Sequence, residues 1–278
     1  MTNHTTNPTD GRSGANHPAR GLVAVILAAG KGTRMQSDLP KVMHPVMGRP
    51  MVHWVVDAAR AAGATKVVLV IGHGADLVRD YFAGVPALAG QVEFALQEKQ
   101  LGTGHAVMMA RPNLEANASA TDAFVLCGDG PLIRPETLAT LLGLHRRDQA
   151  AATLATSLIA DPKGYGRIVR DAAGRLARIV EQKDATEAER AIREINPSYY
   201  CFRTDDLFNA LARVGNKNAS GEYYLTDVFE LLRNDGRTVS AVDAVPPEDV
   251  LSVNDPAQLA EVDAILRRRH GAAAGGAR

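Results

Sequence analysis

Four short stretches of this chain carry residues that could do chemistry. The first reads AAGKGTR, residues 28–34. Gly30 and Gly32 permit positive φ and a close backbone approach, so several N–H groups can converge on phosphate oxygens. Lys31 and Arg34 add positive charge, and the guanidinium fork suits phosphate. The pattern is not G-x-x-x-x-G-K-[ST]. Nor is it G-x-G-x-x-G, because Met35 fills the last position. Two glycines alone would suit any strand-to-loop turn; Lys31, Thr33 and Arg34 crowded around them favour an anion. The second stretch, LQEKQLGTGHA, offers the amides of Gln97 and Gln100, each both donor and acceptor, as the edge of a pyrimidine requires. Gly102 and Thr103 open a helix there, where backbone N–H groups are free. His105 reads as a packing histidine. The third, VLCGDGPLI, places Asp129 at the end of an apolar run. A carboxylate in that position is costly unless it binds something, and Mg²⁺ is its natural partner near phosphates. The fourth, LSVND, offers Asn254 as a second oxygen ligand.

The elements that must position these residues follow from hydropathy. LVAVILAAG is a continuous apolar run, as in a parallel strand buried on both faces. TKVVLVIGHG, QVEFALQ and DAFVLCGD repeat the pattern. Helices are expected over 49–62, over 104–111 and from Pro135, a favourable first-turn residue. Alternating strands and helices through Leu144 predict a doubly wound, Rossmann-like α/β sheet. Ligands of such sheets sit outside the carboxyl ends of the strands, where AAGKGTR and Asp129 fall. The rhythm then changes. AATLATSLI, the strand–turn–strand RIVRDAAGRLARIVEQ and EINPSYYCF predict a β-rich lobe over that edge of one mixed sheet, with short helices over 207–214 and 225–233. The expected organisation is an N-terminal arm over 1–20, a domain over 21–268 and a flexible tail over 269–278. Within the domain, one lobe at 21–150 precedes a β-rich lobe at 151–268.

Composition excludes several classes. The chain has 278 residues, with 31 basic and 31 acidic side chains. That balance gives no footprint for nucleic acid or a membrane surface. No apolar run approaches the roughly 20 residues a membrane helix needs. The first twenty residues lack the apolar segment of a secretory signal. Two cysteines, Cys127 and Cys201, fit neither a disulfide framework nor a metal-ligand spacing. A cytoplasmic location is expected. No base is placed to make Cys127 a nucleophile.

LAAGKGTRM followed by PKVM resembles the signature of the sugar-nucleotide pyrophosphorylases. The match is closest to the uridylyltransferase half of the bifunctional N-acetylglucosamine-1-phosphate uridylyltransferase / glucosamine-1-phosphate acetyltransferase family. It runs from about Val23 to Asn254. The resemblance implies UTP and N-acetylglucosamine 1-phosphate as substrates, with Mg²⁺ as cofactor. It implies that Leu27, Ala28, Ala29, Gly30, Lys31 and Gly32 lie along the triphosphate, with Arg34 and Lys41 as catalytic charges. It assigns Gln97, Gln100, Gly102 and Thr103 to the base, and Asp129 and Asn254 to the metal. It assigns Gly166, Glu181, Asn196, Tyr224 and Thr226 to the sugar and its phosphate. The sequence departs from the pattern where Cys127 replaces an aromatic, where Gly130 replaces an apolar residue, and where NPSYY replaces N-[TS]-G. Pro197 thereby leaves the sugar open, so the same reaction with another sugar or with dTTP stays an alternative. So does a binding module without turnover. The family's left-handed β-helix domain has no counterpart here, so acetyltransferase activity is expected to be missing and trimerisation is left open.

Overall fold

Residues 22–28 alternate strictly between two cores. Ala24, Ile26 and Ala28 join one apolar cluster, while Val23 and Val25 join another on the opposite face. Only a strand with helices on both sides buries every residue in this way. The computed structural model describes residues 21–115 and 121–275; the expected arm at 1–20 lies outside them. In chain order the elements are β1 (Leu22–Ala28), β2 (Pro45–Val46), β3 (Arg49–Pro50), α1 (Met51–Ala61), β4 (Lys66–Ile71), α2 (Ala75–Ala83), β5 (Val92–Leu96), α3 (Thr103–Met109) and α4 (Arg111–Glu115). There follow β6 (Asp122–Cys127), α5 (Pro135–Arg147), β7 (Ala152–Leu158), β8 (Gly166–Arg170), β9 (Leu176–Val180), α6 (Glu187–Arg190) and β10 (Glu194–Arg203). The chain closes with α7 (Thr204–Leu211), α8 (Asp227–Asn234), β11 (Val239–Asp243) and α9 (Pro256–Gly275).

The main sheet runs β11-β7-β10-β6-β1-β4-β5. Strands β6, β1, β4 and β5 are parallel, and β10 is antiparallel to both β6 and β7. The reversal brings the start of β10 to the carboxyl end of β6. There β10 is interrupted by a bulge between Ile195 and Tyr199. Ile195 and Asn196 pair with Arg167 and Gly166 of β8, and beyond the bulge Tyr199 pairs with Leu126 of β6. One strand therefore joins the β8–β9 hairpin to the central sheet, and the doubly wound mixed sheet expected from the sequence is the observed fold.

Helix α1 buries Val52, Val55, Val56 and Ala59, the one-faced spacing of a helix lying on a sheet. With α5 it covers one face, while α3, α7 and α8 cover the other. A third cluster joins Met35 and Met51 to Val262, Ile265 and Leu266 of α9. Helix α9 departs from the expected tail, because residues 269–275 continue the helix. Its last turns are held in place: Arg269 donates to the Leu132 carbonyl at 3.2 Å and ion-pairs with the buried Asp249, and the His270 ring lies 5.3 Å from that of Trp54. Helices α2 and α9 and strand β11 were not expected from the sequence. No described helix is long and apolar enough to cross a membrane.

Candidate active site

Two cavities open along the carboxyl edge of the sheet, of about 260 and 750 Å³, and both are lined by Cys127 and Asp129. Cys127 ends β6 and Asp129 lies in the turn that follows, so the seam between the cavities falls at the strand beside which the sheet reverses direction. The smaller cavity gathers Leu27, Ala29, Gly30 and Lys41 with Gln97, Gln100, Gly102 and Thr103. The larger gathers Gly166, Glu181, Asn196 and Asn254, together with Arg34.

Lys41 closes the seam. Its Nζ ion-pairs with Asp129 and donates to Asn254 Oδ1 at 2.7 Å. Asn254 is oriented from behind: its Nδ2 donates to the carbonyl and the hydroxyl of Ser252, each at 3.3 Å, and its N–H donates to Gln258 Oε1 at 2.7 Å. The amide oxygen is thereby turned toward the cation. Asp129 is anchored through its carbonyl, which accepts from Val253 N–H at 2.9 Å. Among the described residues, no three His, Cys, Asp or Glu side chains gather to hold a metal by themselves. One carboxylate and one amide oxygen already converge on a positive group. That donor set fits a hard cation that keeps its waters and takes phosphate oxygens as further ligands.

The glycine loop reaches the site by close packing. Gly32 has φ of +61°, and a Cβ there would lie 2.6 Å from Lys41 Cβ. Loop and lysine are therefore one packed unit, and Gly32 secures the position of Lys41. Gly30 has open space where a Cβ would stand and does not take positive φ, so its use is access to the smaller cavity. Three expectations are redrawn. The Ala28 side chain belongs to the core. Lys31 is exposed and lines neither cavity. Arg34 is exposed and lines the larger cavity, not the smaller one that Gly30 lines.

The loop that carries Gln97, Gln100 and Gly102 is held by its own polar groups. Gln97 is buried and its Nε2 donates to the Gly102 carbonyl at 3.2 Å, with His105 Nδ1 at 2.9 Å. Thr103 Oγ1 accepts from Leu225 N–H, and the Leu101 carbonyl accepts from Tyr223 N–H at 2.8 Å. His105 is thus a packing residue, as the sequence suggests. Gly102 has φ of +110°, and a Cβ there would stand 2.6 Å from the Tyr223 carbonyl oxygen. Gly102→Ala combines backbone strain with a clash against backbone, and should cost about 1–3 kcal/mol. A thermal melt reads that loss; an unchanged melting temperature would contradict it.

On the wall of the larger cavity, Glu181 accepts from Thr226 Oγ1 at 3.0 Å. Burial raises its pKa, Thr226 opposes the rise, and the carboxylates of Asp227, Asp184 and Glu222 add to it. Thr226 therefore reaches the larger cavity through Glu181. Tyr224 lines a separate cavity of about 290 Å³ and donates to Asp184 Oδ2 at 3.1 Å. The Cys127 thiol is pushed up to about 12, first by burial and then by Asp129, so it forms a neutral wall. Arg167, 1% exposed, was missed by sequence reasoning. It donates to the Tyr165 carbonyl and to Gln182 Oε1, which also accepts from Gly164 N–H at 3.0 Å. It pins the loop that rims the larger cavity, and its burial lowers the guanidinium pKa. Arginine beside the loop motif GYGR was visible in the sequence; its burial was not.

A sheet that gathers phosphate-seeking groups where its strands reverse has the architecture of the nucleotide-handling α/β proteins. The chain belongs to the MobA-like NTP transferase domain family, whose profile matches residues 24–216. It is 52% identical over 253 residues to the Bifunctional protein GlmU of Geobacter metallireducens, covering 89% of this chain and 51% of that protein. The Bifunctional protein GlmU of Brevibacillus brevis is 52% identical over 246 residues, covering 88% and 52%. The chain spans about half the length of these curated relatives. The structure of UDP-glucose pyrophosphorylase complexed with UDP-glucose shares the fold, with a TM-score of 0.72 at 19% identity over 90% of this chain and 99% of that one.

Proposed function

We propose that this chain is a Mg²⁺-dependent nucleotidyltransferase that forms UDP-N-acetylglucosamine and pyrophosphate from UTP and N-acetylglucosamine 1-phosphate. The observation that carries this reading is the convergence of Lys41, Asp129 and Asn254 on the seam between two cavities. The relatives of about half identity support the choice of substrates. UTP occupies the smaller cavity, its base against Gln97 and Gln100 and its phosphates along Gly30 toward Lys41. The sugar 1-phosphate occupies the larger cavity, its hydroxyls on Glu181 and Asn196 and the backbone of Gly166.

A phosphate oxygen of the sugar attacks the α-phosphorus in line. A new P–O bond forms, the α–β bridging bond breaks, and its electron pair leaves with pyrophosphate. No general base is needed, because the nucleophile is already an anion. The protein contributes positioning and charge: Lys41 stabilises the negative charge that builds on the departing phosphates, and Arg34 faces the incoming sugar phosphate. Asp129 and Asn254 would hold Mg²⁺, which supplies charge neutralisation between the two substrates when bound.

The test is pyrophosphate release from UTP and N-acetylglucosamine 1-phosphate, with Mg²⁺ and with a chelator. Mg²⁺-dependent release is expected; no release with any sugar 1-phosphate would overturn the proposal. Cys127 and Pro197 on the sugar-side wall favour a second reading, the same transfer to another sugar 1-phosphate, which a substrate panel decides.

Glu181 adds a pH dependence. Its pKa lies above the ordinary 4.5. As pH falls toward 4.5 it gains a proton earlier than an exposed glutamate, loses its charge and becomes a weaker acceptor for sugar hydroxyls. The KM for the sugar phosphate should rise on acidification more in the wild type than in Glu181→Gln; the comparison removes titration of the sugar phosphate itself. The sign for stability is opposite. The folded state binds this proton more tightly, so the stabilisation it gives at low pH is lost as pH rises through the raised pKa. Glu181→Gln should therefore melt no lower than wild type at neutral pH. Parallel acid profiles of KM in the two proteins would contradict this role.

A further inference from the structure

Ser198 lies on the wall of the larger cavity and has no part in the chemistry above. It stands in the bulge of β10 with φ of +66°, a conformation that costs any residue carrying a Cβ. The surrounding groups fix it there. Asn196 Oδ1 accepts from Ser198 N–H at 3.0 Å, and Asn196 Nδ2 donates to the Tyr200 hydroxyl at 2.7 Å. The Tyr200 hydroxyl in turn donates to Ser198 Oγ at 3.3 Å. Tyr200 is buried against Phe202 and Phe229, so this base is rigid.

The direction of these bonds decides what Ser198 can do. The protons run from Asn196 to Tyr200 to Ser198, and each bond polarises the next. Ser198 Oγ has accepted, so its own proton is left to donate. Within the protein that proton meets the Cys127 thiol, a weak acceptor that a carbonyl oxygen can displace. Asn196, for its part, has one N–H and one oxygen lone pair committed inside the bulge, which leaves it half of its capacity for a ligand.

We propose that Ser198 is a specificity-determining residue that donates to the amide carbonyl of an acylamino substituent on the hexose 1-phosphate. An amide oxygen only accepts. A ring hydroxyl in its place would bring a proton of its own beside Cys127, whose thiol is a weak acceptor. This inference rests on the sugar 1-phosphate reading given above.

The test compares kcat/KM for N-acetylglucosamine 1-phosphate and glucose 1-phosphate in wild type and Ser198→Gly. Glycine accepts the positive φ, so the fold is retained and the melting temperature does not fall. The ratio favouring the acylamino sugar should drop about tenfold, the scale of one hydrogen bond to a neutral partner. The drop should come from the KM for the sugar phosphate and not from that for UTP. Tyr200→Phe, which removes the donor to Ser198 without altering a cavity residue, should lower the same ratio by a smaller factor. Turnover with an unchanged ratio in Ser198→Gly overturns the role of Ser198 alone. A wild type inactive on every sugar 1-phosphate overturns the sugar reading, and this role with it.

Discussion

Replacing Lys41 with alanine lowers pyrophosphate release by about 10²- to 10³-fold, the scale of losing one preorganised positive donor at developing charge. The expectation follows from where the ammonium sits. It is only 14% exposed and meets both Asp129 and Asn254. No other cationic side chain lines the smaller cavity among the described residues. The fold survives the change. Alanine keeps the Cβ that packs on Gly32. Asp129, 21% exposed, can take water in place of its lost partner. Lys41→Arg restores less than a conservative exchange suggests, because a planar fork cannot replace a compact ammonium between two oxygens. Steady-state rates with a melting curve for each variant check this. Full turnover in Lys41→Ala would remove Lys41 from the mechanism, and a collapsed melt would make it structural.

Asp129→Asn should cost more. The substitution preserves shape and leaves the carbonyl free to hold Val253, yet it removes the one carboxylate that, among the described residues, lines both cavities. Asp129 is the charged member of the pair with Asn254, and two amides attract a hard divalent cation weakly. Turnover should fall roughly a thousandfold, equivalent to about 4 kcal/mol of barrier. A direct readout is Mg²⁺ binding in the presence of UTP, measured calorimetrically without sugar phosphate. Wild type should bind and Asp129→Asn should bind far more weakly. Equal binding would detach Asp129 from the metal.

The parts legible in the sequence were those set by local pattern. A buried strand ending in AAGKGTR, and another ending in CGD, can each be read from a dozen residues. The polar stretch around Gln97 and the helix opening at Thr103 are equally local. What escaped depended on distant segments. Arg34 faces the larger cavity because Met35 is drawn into the cluster beneath α9, and nothing near residue 34 announces that helix. Tyr224 turns toward Asp184 while Thr226, two residues on, turns to Glu181. The side of a segment without regular structure is decided by what it packs on. Ser198 is harder still: its φ comes from a bulge between two pairings of one strand, and no residue type there demands it. Helix α9 could have been found, since Leu259, Val262, Ile265 and Leu266 recur at helical spacing.

Lys41 joins three segments that are far apart along the chain, its partners lying 88 and 213 positions downstream. Such contacts form late, because the intervening loops must close first. During synthesis the ribosome delivers the loop and Asp129 long before Asn254. Roughly 125 residues separate the two partners, on the order of ten seconds of translation at the usual pace. Helix α9, which backs the loop at Met35, emerges later still. The nascent chain therefore completes most of its sheet while Lys41 still lacks one partner. Assembly of the site therefore waits on the docking of α9.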